Sequence, residues 1–186
     1  MFDFTGYMEW IAEMLLEVQH DPEAKERKFF RISSVMNLDE MVEHFTNAGS
    51  PCIMVEDNRI GRFMDANSDN YLDIQSYSFL VLKYCKVMDA KDRETAKNDT
   101  LALVKKIISR MKRDKRDDLT GGFTKSGLQN FDLNSVTYQT IGPIGDNYYG
   151  TLVQFSMLNP VNSEIAFKAD DWMDRGYLLN STTMFW

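Results

Sequence analysis

The stretch Asp65–Asp73, DANSDNYLD, sets Asp65, Asn67 and Asp69 at the spacing of the first three oxygen ligands of an EF-hand calcium loop, with Leu72 at its apolar position. The twelfth position of such a loop supplies a bidentate acid, and here it is Ser76. The sixth favours glycine, and here it is Asn70. Asp and Asn side chains also bond their own backbone and tolerate left-handed conformations, as a strand-to-strand turn requires. Both flanks alternate as strands do, whereas an EF-hand needs helices, so the stretch is read as a hairpin loop.

The chain has two histidines, His20 and His44, and two cysteines, Cys52 and Cys85. Neither histidine completes a metal-binding spacing. Glu40 and His44 share a helix face, but two ligands alone make a poor site. His20 falls at the end of a helix pattern, where a cation is favourable. Both cysteines lie in apolar runs and are expected as buried free thiols, not as a redox pair. No nucleophile-elbow motif is present. Gly121-Gly122-Phe123-Thr124-Lys125-Ser126 approaches a phosphate-binding loop, but Thr124 takes the place of the required glycine and the segment follows a helix instead of preceding one. Asp170, Asp171 and Asp174 surround Trp172 and Met173 without a partner histidine, and read as a charged segment docking through Trp172. The sequence therefore predicts no catalytic constellation, no metal and no cofactor.

Charge offers a different candidate. Lys105, Lys106, Arg110, Lys112, Arg113, Lys115 and Arg116 put seven of the 21 basic residues within twelve positions. Two readings stand: a solvated helix face complementing the negative helix C-terminus, or a patch that meets phosphates or an acidic partner surface. Immediately beyond lies RDDLTGGFTKSGLQNFD, a polar segment without a clear period. Loops of that length are more often functional than idle, so 117–133 is expected to be a mobile assembly loop, with Thr120, Gly121, Gly122, Phe123 and Lys125 at its centre.

The elements that must position these residues follow from periodicity. Tyr7, Trp10, Ile11, Met14, Leu15 and Val18 form one helical stripe, broken by Asp21-Pro22. KFFRIS reads as a strand, and NLDEMVEHFTN as a helix with Asn37 as N-cap, Glu40 reaching back and Gly49 at the exit. From Pro51 the period becomes two: PCIMVED, a turn at Asp57-Asn58, IGRFMD, and a long YLDIQSYSFLVLKYCKV with a bulge expected near Gln75-Ser76. Phe79–Leu82 is apolar on both faces, which predicts cover on each side. Thr100, Leu101, Val104, Ile107, Ile108 and Met111 mark a helix across 89–114. SVTYQTIG and YYGTLVQFSML make a closing strand pair joined through IGPIGDN. The expected fold is α+β, a mostly antiparallel β-sheet with α-helices packed on one face. It forms a single domain over 1–186 with an extended C-terminal segment 160–186 ending in aromatics.

Bulk properties narrow the function classes. A net charge of −7 disfavours a general nucleic-acid or anionic-membrane binder. No apolar run approaches the ~20 residues of a membrane span. The opening MFDFTGYMEW has no basic region and no small-residue cleavage site, so no secretory signal is expected.

From Pro51 onward, PCIMVED, the hairpin ending in SYSFLVLKYC, the helix AKNDTLALVKKIISRMK and the closing pair VTYQTIGPIGDNYYGTLVQFSML follow one another in an order that resembles tail-terminator and tail-completion proteins of tailed bacteriophages and prophages. The resemblance spans roughly two-thirds of the chain and rests on element order. It implies a non-enzymatic head–tail joining component that forms a homo-oligomeric ring, often a hexamer. It further implies contact with tail-tube or neck proteins, transient proximity to DNA, and residence in the virion or host cytoplasm. The alternative expectation is a small cytoplasmic enzyme or ligand-binding protein with a pocket between helix 91–113 and the sheet. A nucleic-acid accessory factor acting through Lys105–Arg116 is a third.

Overall fold

The period-two patterning along 51–84 becomes three strands of one sheet. The computed structural model describes residues 2–66, 70–86, 89–120, 127–145, 147–166 and 168. Its strands are β1 (Arg27–Ile32), β2 (Ala48–Glu56), β3 (Ile60–Asp65), β4 (Tyr71–Tyr84), β5 (Phe131–Ile144) and β6 (Tyr148–Pro160). Among the described residues they form one sheet in the order β1-β2-β4-β6-β5, with β3 also paired to β4. The β1–β2 pair is parallel and the remaining pairs are antiparallel. The helices are α1 (Phe4–Met14), α2 (Leu38–Phe45) and α3 (Ala90–Leu119), so the protein has the expected α+β class.

Side-chain alternation sorts the core into two layers. Phe4, Tyr7, Met8 and Ile11 of α1, with Leu103, Val104, Ile107 and Met111 of α3, pack on Ile53, Val55, Phe79, Val81, Val153 and Phe155. The neighbouring residues Cys52, Met54, Leu80 and Leu82 point the other way and meet Met41 of α2. The two larger helices thus share one face, as expected, while the short α2 covers the other. This is why Phe79–Leu82 is apolar on both sides.

Local chemistry accounts for the helix boundaries. Asp3, Asn37 and Asp89 each cap a helix by accepting a hydrogen bond from a backbone N–H three residues on. Glu40 does reach back across the start of α2, but to the Ser33 backbone N–H (2.9 Å) and to Asn37 Nδ2 (3.1 Å). Gly49 is not the exit of α2; it already belongs to β2, and Thr46-Asn47 make the turn. Helix α3 runs past its expected end at Asp114 to Leu119, because Asp114 is buried and bonded and Arg113 pairs with Asp117 one turn later (3.7 Å). Consequently the expected loop 117–133 contracts. Residues 117–119 are helical, Leu128–Asn130 form a 3-10 turn, and β5 begins at Phe131.

Two strand expectations also change. No bulge interrupts β4 at Gln75-Ser76: its pairing with β6 runs without a shift from Leu72–Pro160 to Tyr84–Tyr148. The pattern changes there because the other neighbour changes, from β3 beside 71–76 to β2 beside 79–82. Nor does the Asp57-Asn58 segment fold β3 back onto β2. The two strands follow one another along the same edge of β4, and the joint is pinned to β1 by Asp57 N–H to Ile32 O (2.9 Å) and Asn58 Nδ2 to Ser33 O (2.6 Å). DANSDNYLD does join two antiparallel strands, with Asp65 opposite Tyr71 and the Ala66 N–H donating to Asn70 O (2.8 Å). Its residues 67–69 lie outside the described set.

Candidate functional site

An outer strand presents unpaired N–H and C=O groups, so its surroundings decide whether another chain can pair there. At β1, Ile32 O accepts from Asp57 on the β2 side, so by alternation Phe29 and Arg31 direct their backbone outward, as does the N–H of Ser33. Both ends of this edge are closed. The Ser33 N–H is taken by Glu40 Oε1 (2.9 Å), and at the bulged start the Lys28 N–H donates to His20 Nδ1 (3.3 Å). Between the two caps lies a cleft of about 520 Å³, lined in part by Glu9, His20, Arg27, Phe29, Arg31 and His44. Glu9 and Arg31 form an ion pair across it (3.5 Å). Both histidines of the chain therefore meet at one place, which their separation of 24 positions did not reveal.

His20 is not the cation expected at a helix end. Helix α1 stops at Met14, and His20 is buried against Phe29 (ring centroids 5.9 Å). Burial, the largest influence, holds its pKa below the ordinary imidazole range, and an Nδ1 that accepts a hydrogen bond fits the neutral ring. Cys52 and Cys85 are free and buried, as expected, and burial pushes the Cys52 thiol up to about 12. Among the described residues, no group of three or more His, Cys, Asp and Glu side chains is placed to hold a metal ion.

The opposite edge is built differently. β5 is 14 residues long, and from Leu133 to Gly145 the chain carries no charged side chain. Register shifts between Asp132 and Thr137 and between Ile141 and Ile144 leave Thr137–Ile141 as a straight run against β6. Thr137, Tyr138, Gln139 and Thr140 are exposed in succession, so neither face is covered over these four residues, while Ile141 is half-buried against the core on the α2 side. No hydrogen bond from elsewhere among the described residues reaches it outside its ladder with β6. β3 is similar: all six residues are exposed, including Ile60 (78%) and Phe63 (68%), and among the described residues β4 is its only strand neighbour.

Of the seven basic residues between Lys105 and Arg116 on α3, four are occupied within the chain. Lys106 pairs with Glu17, Arg113 with Asp117, and Lys115 Nζ donates to Phe131 O. Arg110 Nε donates to both Asp114 oxygens (2.9 and 2.8 Å), with its guanidinium over Trp10 (4.6 Å). Buried Asp114 also accepts from Tyr7 Oη (2.9 Å), which bolts α1 to α3. Burial first, then Asp114, drives the Tyr7 pKa well above its usual value, while the same carboxylate raises that of Arg110. Lys105, Lys112 and Arg116 remain on one exposed stripe, seven and four positions apart. Thr120 caps α3 through its hydroxyl to Arg116 O (3.0 Å); Gly121, Gly122, Phe123 and Lys125 lie outside the described residues, as do Asp170–Trp186.

The space between α3 and the sheet is filled by core side chains. Beside α3 there is a depression of about 230 Å³ bordered by Pro51, Lys83, Asp99 and Leu103, smaller than the β1 cleft. No helix is long and apolar enough to cross a membrane among the described residues. No family model, curated protein or solved structure matches this chain.

Proposed function

We propose that this chain is a non-enzymatic assembly protein, a ring-forming tail terminator or head–tail joining component of a tailed phage or prophage. The observation that carries the reading is β5: a long outer strand with an uncharged straight run, doubly exposed from Thr137 to Thr140. Such an edge is an aggregation liability in a protein that works alone, and natural sheets blunt it with charge, short length or cover. Here it is retained beside an edge, β1, where those devices are used. The order of elements supports the phage assignment by resemblance. Multi-angle light scattering over a concentration series, with negative-stain images alongside purified tail tubes, tests it. Rings that cap tubes are expected, and a strict monomer that ignores tubes would refute it.

The β1 cleft favours a second reading, a small-ligand-binding protein, because it gathers both histidines, two arginines and two glutamates around about 520 Å³. A thermal-shift screen with metabolites, nucleotides and metals separates the two, since a ligand held by the native state raises Tm with its concentration.

A further inference from the structure

Three strand edges face outward among the described residues: β1, β3 and β5. The first is capped, while among these residues neither of the other two has a second strand beside it. We infer that β5 of one copy pairs along β3 of the next copy, a head-to-tail contact between unlike edges that repeats until a ring closes. The inference rests on the assembly reading above and names its partner.

Length, access and composition support this pairing. The straight run of β5 has five residues and β3 pairs with β4 over six without a register shift, roughly 16–20 Å each at the rise of a strand. Both are exposed on both faces, Ile141 excepted, so an incoming strand meets no overlying layer. Across such a pair Ile60 and Met64 on one face of β3, and Phe63 on the other, would lie along the run that carries Tyr138, all four exposed in the single chain. Pairing β5 with a second β5 would leave the β3 apolar side chains in water, whereas joining unlike edges covers both with one contact. That contact has a direction, and a directional contact generates rings when its rotation closes.

Its strength follows from area. Phe63 and Tyr138, 68% and 59% exposed, with Ile60 and Met64, withdraw at most on the order of 500 Å² of side-chain surface in total, against about 1,600 Å² for a standard interface. One contact alone is therefore weak, and assembly is concentration-dependent until ring closure gives every copy two contacts.

The test uses two full-length variants, each blocking one edge with lysine: Thr137→Lys/Gln139→Lys on β5 and Phe63→Lys on β3. Circular dichroism melts establish that each is folded; Ile60→Lys replaces Phe63→Lys should the latter unfold. Sedimentation velocity at increasing concentration should show wild-type rings and no association by either variant alone. The equimolar mixture should give a 1:1 dimer and nothing larger, populated only towards the top of a concentration series carried well above that at which wild-type rings form, because each partner retains one usable edge and the dimer has a single contact. A β3 variant that still self-associates while the β5 variant does not would establish β5–β5 pairing and overturn the inference. So would a mixture that stays monomeric throughout the series although the wild type assembles. A wild type that is monomeric at every concentration removes the assembly reading itself.

Discussion

At β1 the outward backbone is met by protein, and at β5 by solvent. His20 and Glu40 reach from opposite sides of the sheet, one beyond α1 and one on α2, to take the N–H groups at the two ends of β1. Arg27, Lys28 and Arg31 add charge along it. Nothing comparable approaches Thr137–Ile141, where four consecutive residues are exposed and none is charged. Both strands belong to one sheet, so the difference cannot lie in strand propensity. It lies in which end of the sheet the helices and their connecting segments enclose. Edge protection in this sheet is selective, as the proposed assembly role requires.

Changes at the enclosed end should cost stability and leave association alone, while changes at the open end should do the reverse. The largest stability effect is expected from Asp114→Ala. It leaves Arg110 and the Tyr7 hydroxyl without their buried partner and should cost about 3 kcal/mol, measured by urea unfolding. A loss below about 1 kcal/mol would mean the α1–α3 bolt is dispensable. Next comes Asn37→Ala, which removes the α2 cap and one support of Glu40. It should cost about 1 kcal/mol and, by loosening the closure at Ser33, increase association through β1.

A smaller effect should appear with acid. His20 has a folded pKa below its unfolded value, so below about pH 6.5 the unfolded chain takes up a proton that the folded chain resists. Its stabilisation is complete above that pH and is lost as pH falls toward the folded pKa. His20→Gln should flatten this limb of the stability–pH curve, and an unchanged limb would contradict the buried neutral imidazole. The smallest stability change, within about 0.5 kcal/mol, is expected for Gln139→Lys, an exposed site in the open run. Light scattering should nevertheless show its association lost.

Much of the fold was legible in sequence where the signal is local. The apolar repeat from Thr100 to Met111 specified α3, Asn37 specified the start of α2, and the Asp/Asn cluster around Asp65 specified a hairpin. The misreadings arose where neighbours decide. The pattern at Gln75-Ser76 looked like a bulge because alternation records burial, and burial changes when β3 gives way to β2. The run of charge on α3 left two readings open, a solvated helix face or a contact patch, and its periodicity did not show that partners distant in sequence, Glu17 and Phe131, occupy two of its members. The absence of charge from Leu133 to Gly145 was visible throughout. Its meaning was not, because alternation identifies a strand without saying that it lies at an edge.

Hydrogen exchange resolved by residue, on dilute and concentrated protein, tests the central claim most directly. Amides directed outward within Thr137–Ile141 should exchange rapidly in dilute solution and gain protection as concentration rises, while the capped Lys28 and Ser33 amides of the β1 edge should be unchanged. Equal, rapid exchange along Thr137–Ile141 at every concentration would contradict it.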